Sequence, residues 1–252
     1  MDIREDWFNI EYLVFSAHKT ATQTITNSLN FSGVRSRHAH VLYNMELKKG
    51  EFRFFLQYYR KRNNQKLKII SAFRDPMERL ISSFFQSLEE NPYAWVVPDN
   101  EDKASGEFNM AFIELQDLFY QYCKVVDGWG ESVTDICNEL DISIESLNFS
   151  EKDFIGLNET EDCFLYLLRF DLMLPYMANL LKFITGHEIS LRVKNVSSAK
   201  SYAHKYIEFQ KLIKMPRCGI AEIYESRKRL LDLFYPGQYE SLLKEKIRRY
   251  GK

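Results

Sequence analysis

Long apolar runs are missing from this chain. No stretch approaches the roughly 20 apolar residues that a membrane-spanning helix needs, so the sequence predicts no transmembrane segment. The first six residues, Met-Asp-Ile-Arg-Glu-Asp, are too acidic for a secretory signal peptide. These two absences favour a cytoplasmic protein, although a luminal fragment of an anchored Golgi enzyme would look the same.

Cysteine is scarce and the charges almost cancel. The four cysteines show no paired metal-ligand spacing and are expected to be buried thiols in a reducing compartment; they are Cys123, Cys137, Cys163 and Cys218. Lys and Arg total 34 against 35 Asp and Glu, so the formal charge is −1, which argues against a nucleic-acid partner. At 252 residues, with 45% hydrophobic residues, the chain is expected to form a single domain over 1–252 with a packed core.

Apolar strands alternate with amphipathic helices along most of the chain. The pattern predicts buried strands at 11–15, 67–73 and 163–170, and a short extended stretch at 34–42. It predicts helices at 22–30, 47–63, 76–89, 108–125, 175–185, 199–214, 220–234 and 239–250. This alternation is typical of an α/β fold with a central, mostly parallel sheet flanked by helices. Between 91 and 162 the pattern weakens, and we expect a helical and loop insertion there.

Two predicted strands run into turns that open helices. The first turn carries Lys19 among hydroxyl side chains, and the second begins at Arg74, with Ser82 two helical turns further on. A helix start binds anions well, because its backbone N–H groups and partial positive charge point outward. Two such sites, each with one cation and nearby hydroxyls, predict a ligand with two separated anionic groups.

An ordinary ATP or GTP site fits the first turn poorly. The nucleotide-hydrolase loop has the pattern G-x-x-x-x-G-K-[ST], and the glycines are missing before Lys19-Thr20. Asp75 and Asp171 are ambiguous as Mg²⁺ ligands. Taken alone, the turn is as well explained by a capped helix with a solvated lysine.

Several segments, in the same order, resemble the sulfotransferases that use 3′-phosphoadenosine-5′-phosphosulfate (PAPS). Residues 19–24, Lys-Thr-Ala-Thr-Gln-Thr, resemble the phosphosulfate loop K-[ST]-G-T-[TS], and residues 74–82 resemble the 3′-phosphate motif R-[DN]-P followed by Ser. Weaker similarities lie at 37–42, at 165–172 with 183–186, and at 195–202, the last resembling N-x-S-x-x-K-x-Y of bacterial capsular and other glycan sulfotransferases. The resemblance leaves 91–162 uncovered.

The resemblance implies a P-loop-like three-layer fold and an assignment of roles. Lys19 and His40 would be catalytic, the lysine on the leaving phosphate and the histidine as base toward the acceptor. The residues that would bind the donor are Lys19, Thr20, Ala21, Thr22, Gln23, Thr24, Arg74, Ser82 and Lys200. The donor would be PAPS and the product 3′-phosphoadenosine-5′-phosphate (PAP), with no metal required. The acceptor would be a glycan, as in polysaccharide biosynthesis, or a small molecule, with 91–162 shaping its site.

The chain departs from the family pattern at two positions. Ala21 stands where the family usually has glycine, and Gln23 stands where it has a hydroxyl residue. Some glycan sulfotransferases carry a glutamate base eight residues after the lysine, and here that position is Asn27, which favours His40 as the base. His38 is the second candidate base, and His18 is a candidate for contacting the transferred group. A P-loop kinase and a non-catalytic module for sulfated or phosphorylated ligands are the alternative functions.

Overall fold

A computed structural model describes residues 5–90, 112–126, 132–193 and 203–252. Its single described sheet has five strands in the order β2-β1-β3-β5-β4. The strands are β1 Tyr12–Phe15, β2 Ser36–Ala39, β3 Leu67–Phe73, β4 Ile155–Glu159 and β5 Cys163–Arg169. β2, β1, β3 and β5 are mutually parallel, and β4 pairs antiparallel with β5 at one edge. The expected mostly parallel sheet flanked by helices is therefore confirmed.

Ten α-helices lie in the described part of the chain. They are α1 Thr22–Phe31, α2 Phe52–Asn63, α3 Pro76–Glu90, α4 Phe112–Val126, α5 Ser132–Leu140, α6 Phe170–Thr185, α7 Ala203–Leu212, α8 Arg217–Glu225, α9 Lys228–Phe234 and α10 Tyr239–Tyr250. Short 3-10 helices occupy Glu5–Trp7, Leu42–Met45 and Ile144–Ser146. No described helix is both long enough and apolar enough to cross a bilayer.

The central strands read as continuous apolar runs because both faces of a parallel sheet are covered. All four residues of β1 are buried, and so are six of the seven in β3. One face of the sheet packs with α1 and α6 into a core that includes Val14, Ile25, Ile70 and Leu181. This packing fixes the carboxyl ends of β1 and β3 at one edge of the sheet.

Backbone contacts divide the chain into two compact units, each built from three segments. The first comprises 1–75, 130–194 and 228–239 and contains the sheet. The second comprises 76–129, 195–227 and 240–252. Its helices pack around edge-to-face aromatic rings contributed by α3, α4 and α7, among them Phe84, Phe85, Phe119 and Phe209.

The predicted strands are confirmed within one residue at each end, and the 34–42 stretch is extended only over Ser36–Ala39. Several helix boundaries were wrong. α2 begins at Phe52 rather than 47, because Lys48 and Glu51 close a turn before it. α6 begins at Phe170, with Pro175 inside the helix rather than at its start. The predicted helix 220–234 is two helices, α8 and α9, that meet at Ser226 and Arg227.

Some expectations fall partly outside the described residues. The N-terminal ends of the predicted helices 108–125 and 199–214 lie there, and so do 91–111 and 127–131 of the expected insertion. The described part of that insertion includes β4, which was not predicted as a strand. All four cysteines are free thiols; three are buried as expected, but the expectation was wrong for Cys218, which is exposed.

Candidate functional site

The turn between β1 and α1 uses left-handed backbone conformations at two non-glycine residues. Lys19 has φ 68° and Ala21 has φ 60°. Ala21 is the N-cap of α1, and its carbonyl accepts the first helical hydrogen bond from the Ile25 N–H at 2.9 Å. Glycine adopts this conformation without steric cost, whereas an alanine residue is strained in it. Ala21 thus has the backbone conformation that glycine adopts most readily.

Three threonine side chains line this turn, and all three are buried. Thr20 is fully buried, and its hydroxyl donates to the Ala17 carbonyl at 2.6 Å. The hydroxyl oxygens of Thr20 and Thr22 lie 3.4 Å apart. Thr24 is also buried, whereas Gln23 is exposed. The Thr20 hydroxyl proton is thus used inside the turn, where it helps to fix the turn's shape.

Three serines hold the turn against the sheet. The Ser16 hydroxyl accepts the Ala72 N–H at 2.6 Å, which ties the end of β1 to β3. The Ala17 N–H donates to the Ser132 hydroxyl at 2.9 Å, and that hydroxyl lies 3.3 Å from the Ser71 hydroxyl. Ser132 is the first residue of α5 and lies in the segment that no motif covers. Its contact with the turn could therefore be found only from the structure.

The structure brings Arg74 to the first turn. β1 and β3 are adjacent and parallel, with Val14 opposite Ile70, so the residues after both strands lie at the same edge. Nη1 of Arg74 donates to the Lys19 carbonyl at 3.0 Å. The guanidinium also lies over the Phe170 ring, 4.4 Å from its centroid. The two cation-bearing turns predicted from the sequence are therefore neighbours.

Three histidines lie beside the same turn. Nδ1 of His40 is 2.8 Å from the Ser16 carbonyl oxygen, and the His40 ring stacks on His18 with ring centroids 3.8 Å apart. His38 lies 5.5 Å from His40, centroid to centroid. Because a carbonyl oxygen can only accept, Nδ1 carries the proton in the neutral His40 ring, and Nε2 is the basic atom.

Burial lowers the pKa of two of these rings. It lowers the pKa of His40 below its ordinary value, while the hydrogen bond to the Ser16 carbonyl acts in the opposite direction. Burial also lowers the pKa of His38, with smaller contributions from His40 and Arg37. Both shifts favour a neutral imidazole near pH 7, which is the form that can accept a proton.

Three further residues singled out in the sequence are Ser82, Lys200 and Asn27. Ser82 lies in α3 of the second unit and is buried, at 1% exposure. Lys200 lies outside the described residues. Asn27 is half-buried in α1.

An arginine that the sequence did not single out lies at the end of β5. Arg169 is buried, and its Nη1 donates to the Phe234 carbonyl at 2.9 Å. Its Nε donates to the Asp171 carboxylate at 3.0 Å, and its guanidinium stacks over the Tyr235 ring. Asp171, one of the two carboxylates considered for Mg²⁺, thus forms an ion pair. The described residues contain no group of three or more His, Cys, Asp or Glu side chains placed to hold a metal.

Comparisons of the chain with family models, curated proteins and solved structures returned no match.

Proposed function

We propose that the chain is a PAPS-dependent sulfotransferase that transfers a sulfuryl group to a hydroxyl or amine of an acceptor, a carbohydrate or glycan being the favoured class. The observation that supports this most is the hydrogen bond from Arg74 to the Lys19 carbonyl. It joins two strand-to-helix turns, each bearing one cation, at one edge of a parallel sheet. A donor with a 5′-phosphosulfate and a 3′-phosphate needs two such anion sites.

The first turn suits the phosphosulfate end of the donor. α1 starts immediately after Ala21, so its first N–H groups and its positive dipole end lie at this turn. Lys19, within the turn, would stabilise the charge that grows on the 5′-phosphate oxygen as its bond to sulfur breaks. Little covalent work falls to the protein in such a transfer, since placement and electrostatic stabilisation dominate.

Arg74 suits the 3′-phosphate. A guanidinium carries five N–H donors in a planar fork that matches the oxygens of a phosphate, and Nη1 of Arg74 donates to the Lys19 carbonyl. Phe170 packs against the guanidinium plane and limits its rotation. The proposal also assigns Ser82 and Lys200 to donor binding, on the resemblance alone.

His40 is the proposed base. Its Nε2 would accept the acceptor's proton as the acceptor oxygen or nitrogen forms its new bond to sulfur. The sulfur–oxygen bond to the donor phosphate breaks in the same step, and PAP leaves. The ring is oriented for this by the Ser16 carbonyl at Nδ1, and the Asn44 side chain accepts the His40 backbone N–H at 2.9 Å. We further propose that the fold is P-loop-like, because a strand, an anion-binding turn and a helix follow one another at its centre.

Ligand-induced stabilisation tests the donor class. A ligand that binds only the native state raises the unfolding temperature, and at 100 times its Kd the gain is about 2.7 kcal/mol. We expect PAP to raise the melting temperature by several degrees and ATP with Mg²⁺ to raise it much less. The reverse ranking would favour the kinase. Stabilisation by PAP without transfer to any acceptor, in a screen with ³⁵S-labelled PAPS, would favour a non-catalytic binding module.

Two substitutions test the separate roles of the cations. Arg74→Ala is expected to weaken PAP binding by tenfold or more, since a charge-assisted hydrogen bond contributes about 1.5–3 kcal/mol. Lys19→Ala is expected to lower kcat more than binding, because its contribution grows in the transition state. Calorimetry and steady-state transfer rates measure the two quantities.

Exposed residues of the same type serve as controls. Arg53→Ala on α2 and Lys49→Ala should leave both binding and turnover unchanged, since both side chains are exposed in the first unit. Equal losses of binding and turnover in the Arg74 and Lys19 variants would contradict the assigned division of roles.

A further inference from the structure

The contact between His18 and His40 is closer than the other histidine contact in the site. The two ring centroids are 3.8 Å apart and the ring planes differ by 28°, so the rings lie nearly face to face. His18 is exposed and His40 is half-buried. One face of the His40 imidazole is therefore covered by the ring of a residue that also belongs to the anion-binding turn.

Two hydrogen bonds hold His40 in place, but neither of them fixes the plane of its ring. Nδ1 is held by the Ser16 carbonyl and the backbone N–H is held by the Asn44 side chain. A hydrogen bond at Nδ1 alone still allows the ring to tilt about that atom. A flat ring stacked against it removes this freedom and keeps water from that face.

We propose that His18 is a positioning residue that covers the His40 ring and fixes its plane, so that Nε2 is held toward the acceptor. This inference rests on the proposed function, because His40 needs an orientation only if it takes a proton from an acceptor. It assigns His18 a role through His40, rather than contact with the transferred group.

The ionisable groups around His40 are consistent with a covering role for His18. His18 faces His40 from the first turn, His38 faces it from β2, and Arg37 acts on His38 from the same strand. Two protonated imidazoles with ring centroids 3.8 Å apart would repel each other. Burial is the largest cause that lowers the pKa of His40, and the His18 ring is stacked on this imidazole.

Two variants of His18 distinguish the effect of covering the His40 ring from the effect of the His18 charge. His18→Phe keeps a flat ring over His40 and removes the titratable group, whereas His18→Ala removes the ring. Imidazole resonances followed by NMR across pH 4–9, without donor, give the His40 titration midpoint. We expect the midpoint of the Phe variant to stay below the ordinary histidine value and that of the Ala variant to move up toward it, because water then reaches the ring.

The transfer reaction provides the second readout. We expect His18→Ala to lower kcat by about tenfold with little change in the KM for PAPS, and His18→Phe to lower kcat by less than about threefold. In the kcat/KM profile, the fall on the acid side should move to higher pH in the Ala variant only.

Three results would overturn the inference. One is an unchanged His40 midpoint in His18→Ala, which would mean that the ring does not shield His40. Another is an equal rise in both variants, which would mean that charge rather than covering matters. The third is an equal loss of kcat in both variants, which would indicate direct chemistry by His18. The absence of PAP binding would instead refute the proposed function, and the donor-free titration keeps the two failures apart.

Discussion

The left-handed conformation of Ala21 predicts an unusual response to glycine. Ala21 has φ 60° and ψ 20° at the N-cap of α1. An alanine in this conformation is strained by about 1–2 kcal/mol, and glycine removes that strain. In the opposite direction, glycine increases the conformational entropy of the unfolded chain, which lowers the stability by about 0.4–1 kcal/mol. The Ala21 methyl also packs partly against the sheet core, and its loss costs about 0.4 kcal/mol, half of a fully buried methylene.

The strain relieved by glycine exceeds the sum of the two destabilising contributions. Ala21→Gly should stabilise the protein by about 0.5 kcal/mol and raise the melting temperature by about 1–2 °C. Ala178→Gly is the matched control, since Ala178 lies inside α6 of the same unit with an intermediate exposure like that of Ala21. There, the same change should destabilise by about 1 kcal/mol, because glycine is a poor residue in a helix interior.

Urea unfolding followed by circular dichroism measures both variants, provided that the m-values agree with the unsubstituted chain. PAP affinity should be equal or higher in Ala21→Gly, since the backbone then approaches the ligand without a methyl group. If Ala21→Gly destabilises the protein as much as Ala178→Gly does, the turn does not have the left-handed backbone on which the proposed anion site depends.

Two further predictions follow from buried groups in the first unit and from the cysteines. Ser132→Ala removes the acceptor of the Ala17 N–H and should destabilise the protein by about 1–3 kcal/mol by urea unfolding; Ser143→Ala, whose hydroxyl is exposed, is the control and should cost less than about 1 kcal/mol. An equal cost at both sites would show that Ser132 does not support the turn. In a thiol-reagent assay, Cys218 should react quickly and the other three only after unfolding, because they are buried and burial raises the pKa of Cys137 and Cys163 to about 11. Loss of the fast phase in Cys218→Ser confirms the assignment, whereas fast reaction of a second thiol in the native protein would contradict the packing.

The sequence predicted the centre of the fold because its strands depend on local pattern. Most residues of β1, β3 and β5 are buried, so each strand is a short apolar run that burial explains. It also predicted that the turns of Lys19 and Arg74 would share one ligand. Neighbouring parallel strands bring these turns to one edge, as that prediction requires.

The missed elements depend on partners distant in the chain. β4 contains glycine and asparagine and is poor in strand-forming residues, and it forms because it pairs with β5. A Cβ on Gly156 would meet the Asn148 carbonyl oxygen at 2.1 Å, so the glycine is required by a contact that local pattern does not show.

The break between α8 and α9 has a similar origin. No proline or glycine marks it. The guanidinium of Arg227 turns back and donates to the Ile223 carbonyl at 3.1 Å, and the Ser226 hydroxyl donates to the same carbonyl. Side chains thus satisfy a carbonyl at the end of α8 that a continuous helix would have satisfied with backbone. Ser132 escaped prediction because its role is a hydrogen bond to a residue 115 positions earlier.

The discontinuous first unit has a consequence for biosynthesis. Arg169 ends β5, but the carbonyl of Phe234 that accepts its Nη1 proton is translated 65 residues later. The ring of Phe234 stacks on Phe73, 4.8 Å between centroids, so β3 obtains this contact only after a much later segment of the chain has been translated. A nascent chain stalled before Phe234 would therefore hold an unfinished sheet with its Arg169 guanidinium lacking that acceptor, a state suited to chaperone binding.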